Sequence, residues 1–469
     1  MHYFDRLIES QMQHYRFGDK RLDARCRFSQ LSILSAGSNR SFPQIFKDQY
    51  SLKGLYRFAN NKRVHPAAFG EAYRRGLYDQ ACLVPKAERP TRYFVFQDSS
   101  TAKYNGRGVE LGYIETGKDN GVLLHHGILT DDKFVPLGLP VQQFITRQRS
   151  EYGKSKERGK RPFEEKESHK WIEGFDFGRS FQRKTGIQVV QVVQVMDKES
   201  DIAAVFNYAL RHTHCFFIIN AWHDRKIQDS EVKLLEHMRQ MPQHEVVKRT
   251  ILAENGKKHR LDCALCYERL NLEGVDKPLY AVYLKQLEAI EGQEPAEWVL
   301  LTNLEVHTLQ DAEQITDAYA HRWRTCEDFH KCLKTGCSIE KRQLDSQSAL
   351  FNVIALLSLP AIALLRLRHL AETQAGYPVE EMLSEDQIRV AEIAAERYLM
   401  PIDHTFCQKK TVLWIVLLLG RMGGHQGFKQ KGLPGWQTIW AGWNYLQALV
   451  DGYNMSKNII HLQKPPTCG

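Results

Sequence analysis

The chain has 469 residues, of which 43% are hydrophobic and 25% charged, and its net charge is +9. That composition excludes a disordered or collagen-like chain and predicts a soluble globular protein of two to four domains. Met1 to Ile8 lack the basic-then-apolar pattern of a secretion signal, and the longest apolar run, Val353 to Leu365, is interrupted by Ser358 and Pro360 and reads as a buried helix too short to span a bilayer.

The ten cysteines are scattered. Without a secretion signal they are expected to be reduced thiols in the cytoplasm. Cys263 and Cys266 form a single CxxC in a strand-like stretch, with no second pair at zinc-site spacing.

Residues 1–69 carry 12 Lys/Arg against 5 Asp/Glu, a local charge of +7. Helical patterns run from Gly18 to about Leu34, from Gln44 to Phe58 and from His65 to Asp79. A basic helical head of this kind predicts a nucleic-acid-binding module, separable from the rest of the chain. Arg92 to Asp98 reads as an apolar strand ending in a carboxylate, with Ser99 to Tyr104 adjoining it. Gly121 to Leu129 and Phe134 to Gln142 continue a meander. Thr146 to Pro162 is basic and aperiodic, and reads as a loop or loose arm.

Ser168 to Thr185 reads as a helix, Gln188 to Asp197 as a strand again ending in Asp, Lys198 to Arg211 as a helix and Cys215 to Ile219 as a strand. Strand meander, helix, strand, helix, strand is the order of a ribonuclease-H-like core with a mixed α/β sheet. Strand-rich segments between about 221 and 305 then form an insertion, followed by a long helix from about Gln310 to Lys334. The predicted domains are 1–69, helical and DNA-binding; 70–372, the ribonuclease-H-like body with its insertion; and 373–469, helical, with aromatics serving as core or as a partner surface.

Asp98 and Asp197 close two core strands, and Glu327 lies on the long helix among Arg322, Arg324, Lys331 and Lys334. Three carboxylates without His or Cys suit hard divalent cations, Mg²⁺ or Mn²⁺. Two such ions about 3.5–4 Å apart would clamp the attacking and leaving oxygens of a phosphodiester.

Gln97-Asp98-Ser-Ser, Val195-Met-Asp197-Lys-Glu-Ser-Asp-Ile and Tyr319-x-x-Arg322-Trp through Glu327-Asp-Phe-His-Lys-x-x-Lys334-Thr-Gly resemble the DDE motifs of bacterial cut-and-paste transposases. The closest type is the IS-four family, Tn-five-like branch, and similar stretches extend over nearly the whole chain. The resemblance implies that Asp98, Asp197 and Glu327 form the catalytic triad and bind two Mg²⁺ ions, with Mn²⁺ as a substitute. It implies that Tyr319, Arg322 and Lys334 hold phosphates and that Trp298 lines a pocket for a flipped base, although a core role for Trp298 stays open. His125 and Lys170 are weighed equally as DNA contacts and as structural residues. The implied partners are the transposon ends, target DNA and a second copy of the chain, with no membrane.

Two departures stand out. Four residues separate Arg322 from Glu327 where the family has three. Either a one-residue bulge restores the shared face, which is the favoured alternative, or Arg324 takes over the phosphate contact. Asn220 stands where the family often has Arg. Two other functions remain open: a non-mobile structure-specific endonuclease, and an inactive DNA-binding inhibitor derived from a transposase.

Overall fold

The structure is a computed structural model that describes residues 10–106, 108–115, 117–187, 190–242, 245–252, 258–292, 294–427 and 432–462. The head contains helices α1 (Lys20–Ala36), α2 (Phe42–Ile45), α3 (Gln49–Ala59) and α4 (Pro66–Leu83). Asp19 caps α1 by accepting from the Arg21 N–H, and Gly37 ends it at a φ of 85° that favours glycine. The single helix expected from Gln44 to Phe58 is split, because Asp48 caps a new helix by accepting from the Ser51 N–H at 2.7 Å. Helix α4 runs through residue 69, so the expected boundary falls inside a helix.

The body follows in the order β1 (Arg92–Lys103), β2 (Tyr113–Ile114), β3 (Asp119–Thr130), β4 (Pro136–Ile145), α5 (Ser155–Gly159), α6 (Ile172–Thr185), β5 (Gln191–Met196), α7 (Ala203–Arg211) and β6 (Phe216–Asn220). Next come α8 (Leu234–Gln240), β7 (Glu245–Leu252), β8 (Lys258–Leu270), β9 (Leu279–Gln286) and β10 (Glu297–Thr302). The remaining helices are α9 (Leu309–Lys331), α10 (Gln347–Thr373), α11 (Glu385–Tyr398), α12 (Val412–Met422) and α13 (Trp436–Leu462). Gln188 and Val189, part of the expected second strand, lie outside the described residues.

The strands form one sheet in the order β4-β3-β1-β5-β6-β10-β9-β8-β7, with β2 also on β3. Strands β1, β5 and β6 run parallel, and β3 and β4 are antiparallel to their neighbours. Counted within the first five core strands this is the order 3-2-1-4-5, the mixed α/β arrangement of a ribonuclease-H-like core. The inserted strands continue the same sheet, because β10 pairs antiparallel with β6 through Leu301 and Ile219. Residues 99–103 are not a separate strand; β1 runs straight through them, paired to β3. The basic stretch after β4 is folded back rather than loose: Arg147 grips Glu167 at 2.6 and 2.7 Å, and Arg161 donates to Glu151 at 2.6 Å.

Helix α10 is the spine of the helical layer. It is long and apolar enough to cross a membrane by composition, yet 89% of its most apolar stretch is buried inside the protein. Ser358 and Pro360 do not break it, and the Ser358 hydroxyl donates to the Ile354 carbonyl at 2.8 Å. The head packs directly on this spine. Tyr73 Oη donates to the Ala355 carbonyl at 2.8 Å, and the Asn352 amide donates to the Ala59 and Val64 carbonyls at 2.9 Å each. Trp443 of α13 donates to the Leu34 carbonyl at 2.9 Å. Head, spine and C-terminal helices therefore share one core, so the head packs into the body rather than standing apart from it. Trp414, Trp436, Trp440 and Trp443 belong to this core, which assigns most of the C-terminal aromatics to the interior.

Candidate active site and DNA-binding groove

Alternate residues of a strand point to opposite faces. Along β1, Phe94 and Phe96 enter the core shared with α9, and Asp98 and Ser100 continue that face. Phe96 pairs with Val195 on parallel β5, so Asp98 and Asp197 stand side by side two residues further on. Asp98 is thus in mid-strand, not at a strand end. Asp197 does end its strand, and caps the next turn by accepting from the Glu199 N–H at 2.9 Å.

The opposite face of β1 is locked by a polar chain. Gln97 donates to Gln194 at 2.9 Å, His125 Nε2 meets Gln97 Oε1 at 3.0 Å, and Ser99 Oγ meets His125 Nδ1 at 3.0 Å. Gly174 of α6 lies over the two glutamines; a Cβ there would come within 2.2 Å of both. His125 is completely buried, and burial followed by the charge of Lys170 pushes its pKa well down. It is a neutral core histidine, not a DNA contact. Lys170 is also buried, with its ammonium 3.5 Å from both Glu167 and Glu199, so its charge is already balanced.

Helix α9 covers the carboxylates. Arg322 donates to Asp98 Oδ2 at 3.0 Å with its side chain only 8% exposed. Burial pushes the Asp197 carboxyl up to about 6; Asp98 adds to the shift while Arg322 opposes it. Burial also works against the Arg322 charge, but Tyr319, Asp98 and Asp197 outweigh it and raise its pKa. The Tyr319 ring lies 5.5 Å from the Arg322 guanidinium and meets the Trp298 ring edge-on at 5.1 Å. Asn220 faces the Tyr319 hydroxyl. Trp298, Tyr319, Arg322 and Asp98 thus form one continuous line of contacts.

The register of α9 matches neither sequence alternative. The helix is regular from Leu309 to Lys331, with no bulge between Arg322 and Glu327. Arg322 nevertheless faces the aspartates, and Arg324 pairs instead with Glu372 and, at 3.8 Å, with Asp328. The consequence appears one turn on. Cys326, four residues after Arg322, is fully buried on the aspartate side, where Asp98 and Asp197 both act on its thiol. Glu327, the next residue, sits half-exposed, 3.5 Å from Lys331, and its charge also acts on Lys334. Lys334 donates to Ser100 Oγ at 2.7 Å, and burial pulls its pKa down. Lys334 lies in a π-helical turn, Cys332–Gly336. Among the described residues no three His, Cys, Asp or Glu side chains are placed to hold a metal. Of the expected triad, Asp98 and Asp197 stand side by side against Arg322 and Cys326 of α9, and Glu327 follows Cys326 on the same helix.

A second site lies in the head. Helices α1 and α3 flank a groove of about 880 Å³ lined by Arg21, Arg25, Tyr50, Lys53, Arg57 and Arg63. The Arg25 guanidinium lies 5.5 Å from the rings of both Phe28 and Tyr50. Tyr50 is 76% exposed. A Cβ on Gly54 would come within 2.8 Å of the Arg25 guanidinium carbon, so glycine leaves room for that arginine. Residues 5–64 match the transposase DNA-binding family. The match covers this groove and supports a transposase that binds DNA through its head. None of the groove residues was named as a DNA contact from the sequence, although Arg21/Arg25 and Lys53/Arg57 are helical i, i+4 pairs, a signal that would have placed their cations on two facing helices.

Proposed function

We propose that the protein is a cut-and-paste DNA transposase of the IS-four, Tn-five-like type, which binds the inverted ends of its element through the head and cleaves at Asp98 and Asp197. One observation carries this reading: two carboxylates side by side on parallel strands of a ribonuclease-H-like sheet, with Arg322 between them and a helix lined with cations, in a chain whose head matches a transposase DNA-binding domain.

The donors fit a hard divalent cation. Asp98 and Asp197 offer only oxygen, and burial, with Asp98 adding to it, raises the Asp197 pKa, a penalty on the ionised pair that a bound cation would offset. Glu327 is the third oxygen donor, on the adjoining helix face. Bound Mg²⁺ would supply activation of the attacking hydroxyl and stabilisation of the leaving oxyanion. Arg322 on α9 and Lys334 in the π-helical turn after it steady the phosphate, and Tyr319 and Trp298 wall the cleft. In the first step a water oxygen bonds to phosphorus and the P–O3′ bond breaks, leaving a 3′-hydroxyl. In the second, that 3′-oxygen bonds to a phosphorus of the opposite strand as its P–O3′ bond breaks, closing a hairpin; water reopens the hairpin by hydrolysis, and the freed 3′-hydroxyl then displaces a P–O3′ bond of target DNA in the same way.

A dimer brings two ends together. Its surface is assigned to Ile393, Met400, Ile402, Tyr445 and Leu449, exposed apolar residues on α11, the loop after it and α13. These elements are joined by the Tyr398–Tyr445 hydroxyl contact at 2.9 Å.

The test is cleavage of a duplex taken from inverted repeats flanking the gene, with Mg²⁺, against a scrambled duplex. Specific nicking that leaves a 3′-hydroxyl, followed by strand-transfer products, is expected. Nicking without end preference or strand transfer would instead indicate a non-mobile endonuclease. One observation favours a second reading: among the described residues no third carboxylate joins the aspartate pair in a metal-holding cluster. A protein that binds the ends specifically but never cuts them would be an inhibitor derived from a transposase.

A further inference from the structure

Trp222 follows β6 and exposes 59% of its surface. Its backbone N–H and that of His223 both donate to one oxygen of Asp201, each at 2.7 Å. Asp201 is buried, and Arg225 donates to its other oxygen at 3.0 and 2.5 Å. The Arg225 guanidinium in turn lies 5.2 Å from the Phe206 ring. A buried, fully bonded carboxylate therefore fixes a loop whose outward product is one exposed indole. A single exposed tryptophan needs no explanation, but a pre-positioned one beside a catalytic pair calls for one.

The position is specific. Parallel β5 and β6 pair Met196 with Ile219, so Asp197 and Asn220 continue the register at the sheet edge and Trp222 lies just beyond. Lys198, next to Asp197, places its ammonium 4.2 Å from the Trp222 ring centroid. Trp222 is followed by the exposed His223, Asp224 and Lys226. An apolar protein partner would need apolar neighbours; this surface offers one ring among charged side chains, Lys198, Asp224 and Lys226.

We propose that Trp222 is a stacking platform for an unpaired nucleobase of the DNA strand held at the Asp98–Asp197 pair, with Lys198 capping one ring face and balancing a neighbouring phosphate. This rests on the reading of that pair as the cleavage centre. Cutting next to a duplex end leaves bases without their partners. A rigid indole stacks any base and offsets part of the unstacking cost. The Lys198 ammonium over the ring adds cation–π attraction and charge complementarity. Trp222 is distinct from Trp298, whose ring packs against Tyr319 in the wall of the cleft.

The experiment compares the full-length wild type with Trp222→Ala and Trp222→Phe in EDTA, so that nothing is cleaved. The probes are a blunt end duplex and the same duplex with a short unpaired 3′ overhang carrying 2-aminopurine. Wild type should bind the overhang more tightly and quench its fluorescence. Trp222→Ala should lose at least about fivefold in overhang affinity and lose the quenching, with blunt-duplex affinity unchanged and Trp222→Phe close to wild type. Overhang binding by Trp222→Ala equal to that of the wild type, or an equal loss on both probes, would overturn the proposal. A wild type that prefers the overhang but never cleaves with Mg²⁺ would sink the transposase reading while supporting the platform.

Discussion

Arg322 of α9 donates to the carboxylate of Asp98 on β1 at 3.0 Å, bridging 224 residues of sequence with a nearly buried ion pair. The guanidinium also acts on Asp197, so one cation serves both carboxylates. Arg324, two residues on, points to Glu372 and Asp328 instead. Arg322→Ala is therefore expected to reduce cleavage by orders of magnitude, and Arg324→Ala far less. Arg322→Ala should also destabilise the metal-free protein by about 3–5 kcal/mol, because it leaves buried carboxylates without their partner. Cleavage rates and urea unfolding of both variants check this. Equal cleavage losses would remove Arg322 from its special place.

Asp197 gives a pH prediction. Its folded-state pKa is raised from 3.8 to about 6. Between those values the folded protein holds a proton that the unfolded chain releases. Stability from this group is thus present below about pH 4, is lost as pH rises through 6, and stays lost above that. Asp197→Asn removes the penalty. It should stabilise the metal-free protein by up to about 3 kcal/mol at pH 8 and by almost nothing at pH 4, while abolishing cleavage. Thermal melts in EDTA at the two pH values test it; a gain at pH 4 equal to that at pH 8 would contradict the assignment.

The ribonuclease-H-like order was legible because each core strand is a dense apolar run bounded by turns, and Asp197 was legible because it ends such a run. Asp98 was expected to end its strand, but β1 continues through the polar run Ser99-Ser-Thr, which pattern alone reads as a break. The shared core of head and spine was illegible, because nothing in the pattern of residues 1–69 says that Asn352 will bond the carbonyls of Ala59 and Val64. His125 was ambiguous for the same reason. A histidine in an apolar strand suits a core network or a ligand equally until Gln97 and Ser99 are seen on either side of it.

The head groove offers a test that does not require cutting the chain. Deleting residues 1–69 is expected to yield unfolded protein, because it strips one side of α10 and leaves the Asn352 amide unpaired. Single substitutions in the groove keep that packing. Arg57→Ala should weaken binding to end and scrambled duplexes alike and lower the salt slope by about one if it contacts phosphate. Gly54→Ala should displace Arg25 by crowding its guanidinium, weakening binding without lowering the melting temperature by more than a few degrees. Salt-dependent fluorescence anisotropy on both duplexes reads the outcome. Unchanged affinity in both variants would move DNA binding out of this groove.

Glu327 and Cys326 pose the sharpest question about α9. Mg²⁺ takes oxygen ligands, and burial, reinforced by Asp98, holds the Cys326 thiol protonated far above neutral pH. Cys326 is therefore not a ligand, although it faces the pair, and Cys326→Ala should keep cleavage while Glu327→Ala loses it and still binds end DNA. Cleavage assays and gel shifts on the same preparations of both variants check this. A folded Glu327→Ala protein that cleaves at the wild-type rate would remove Glu327 from the metal site, and a Cys326→Ala protein that binds end DNA but no longer cleaves it would make the thiol more than packing.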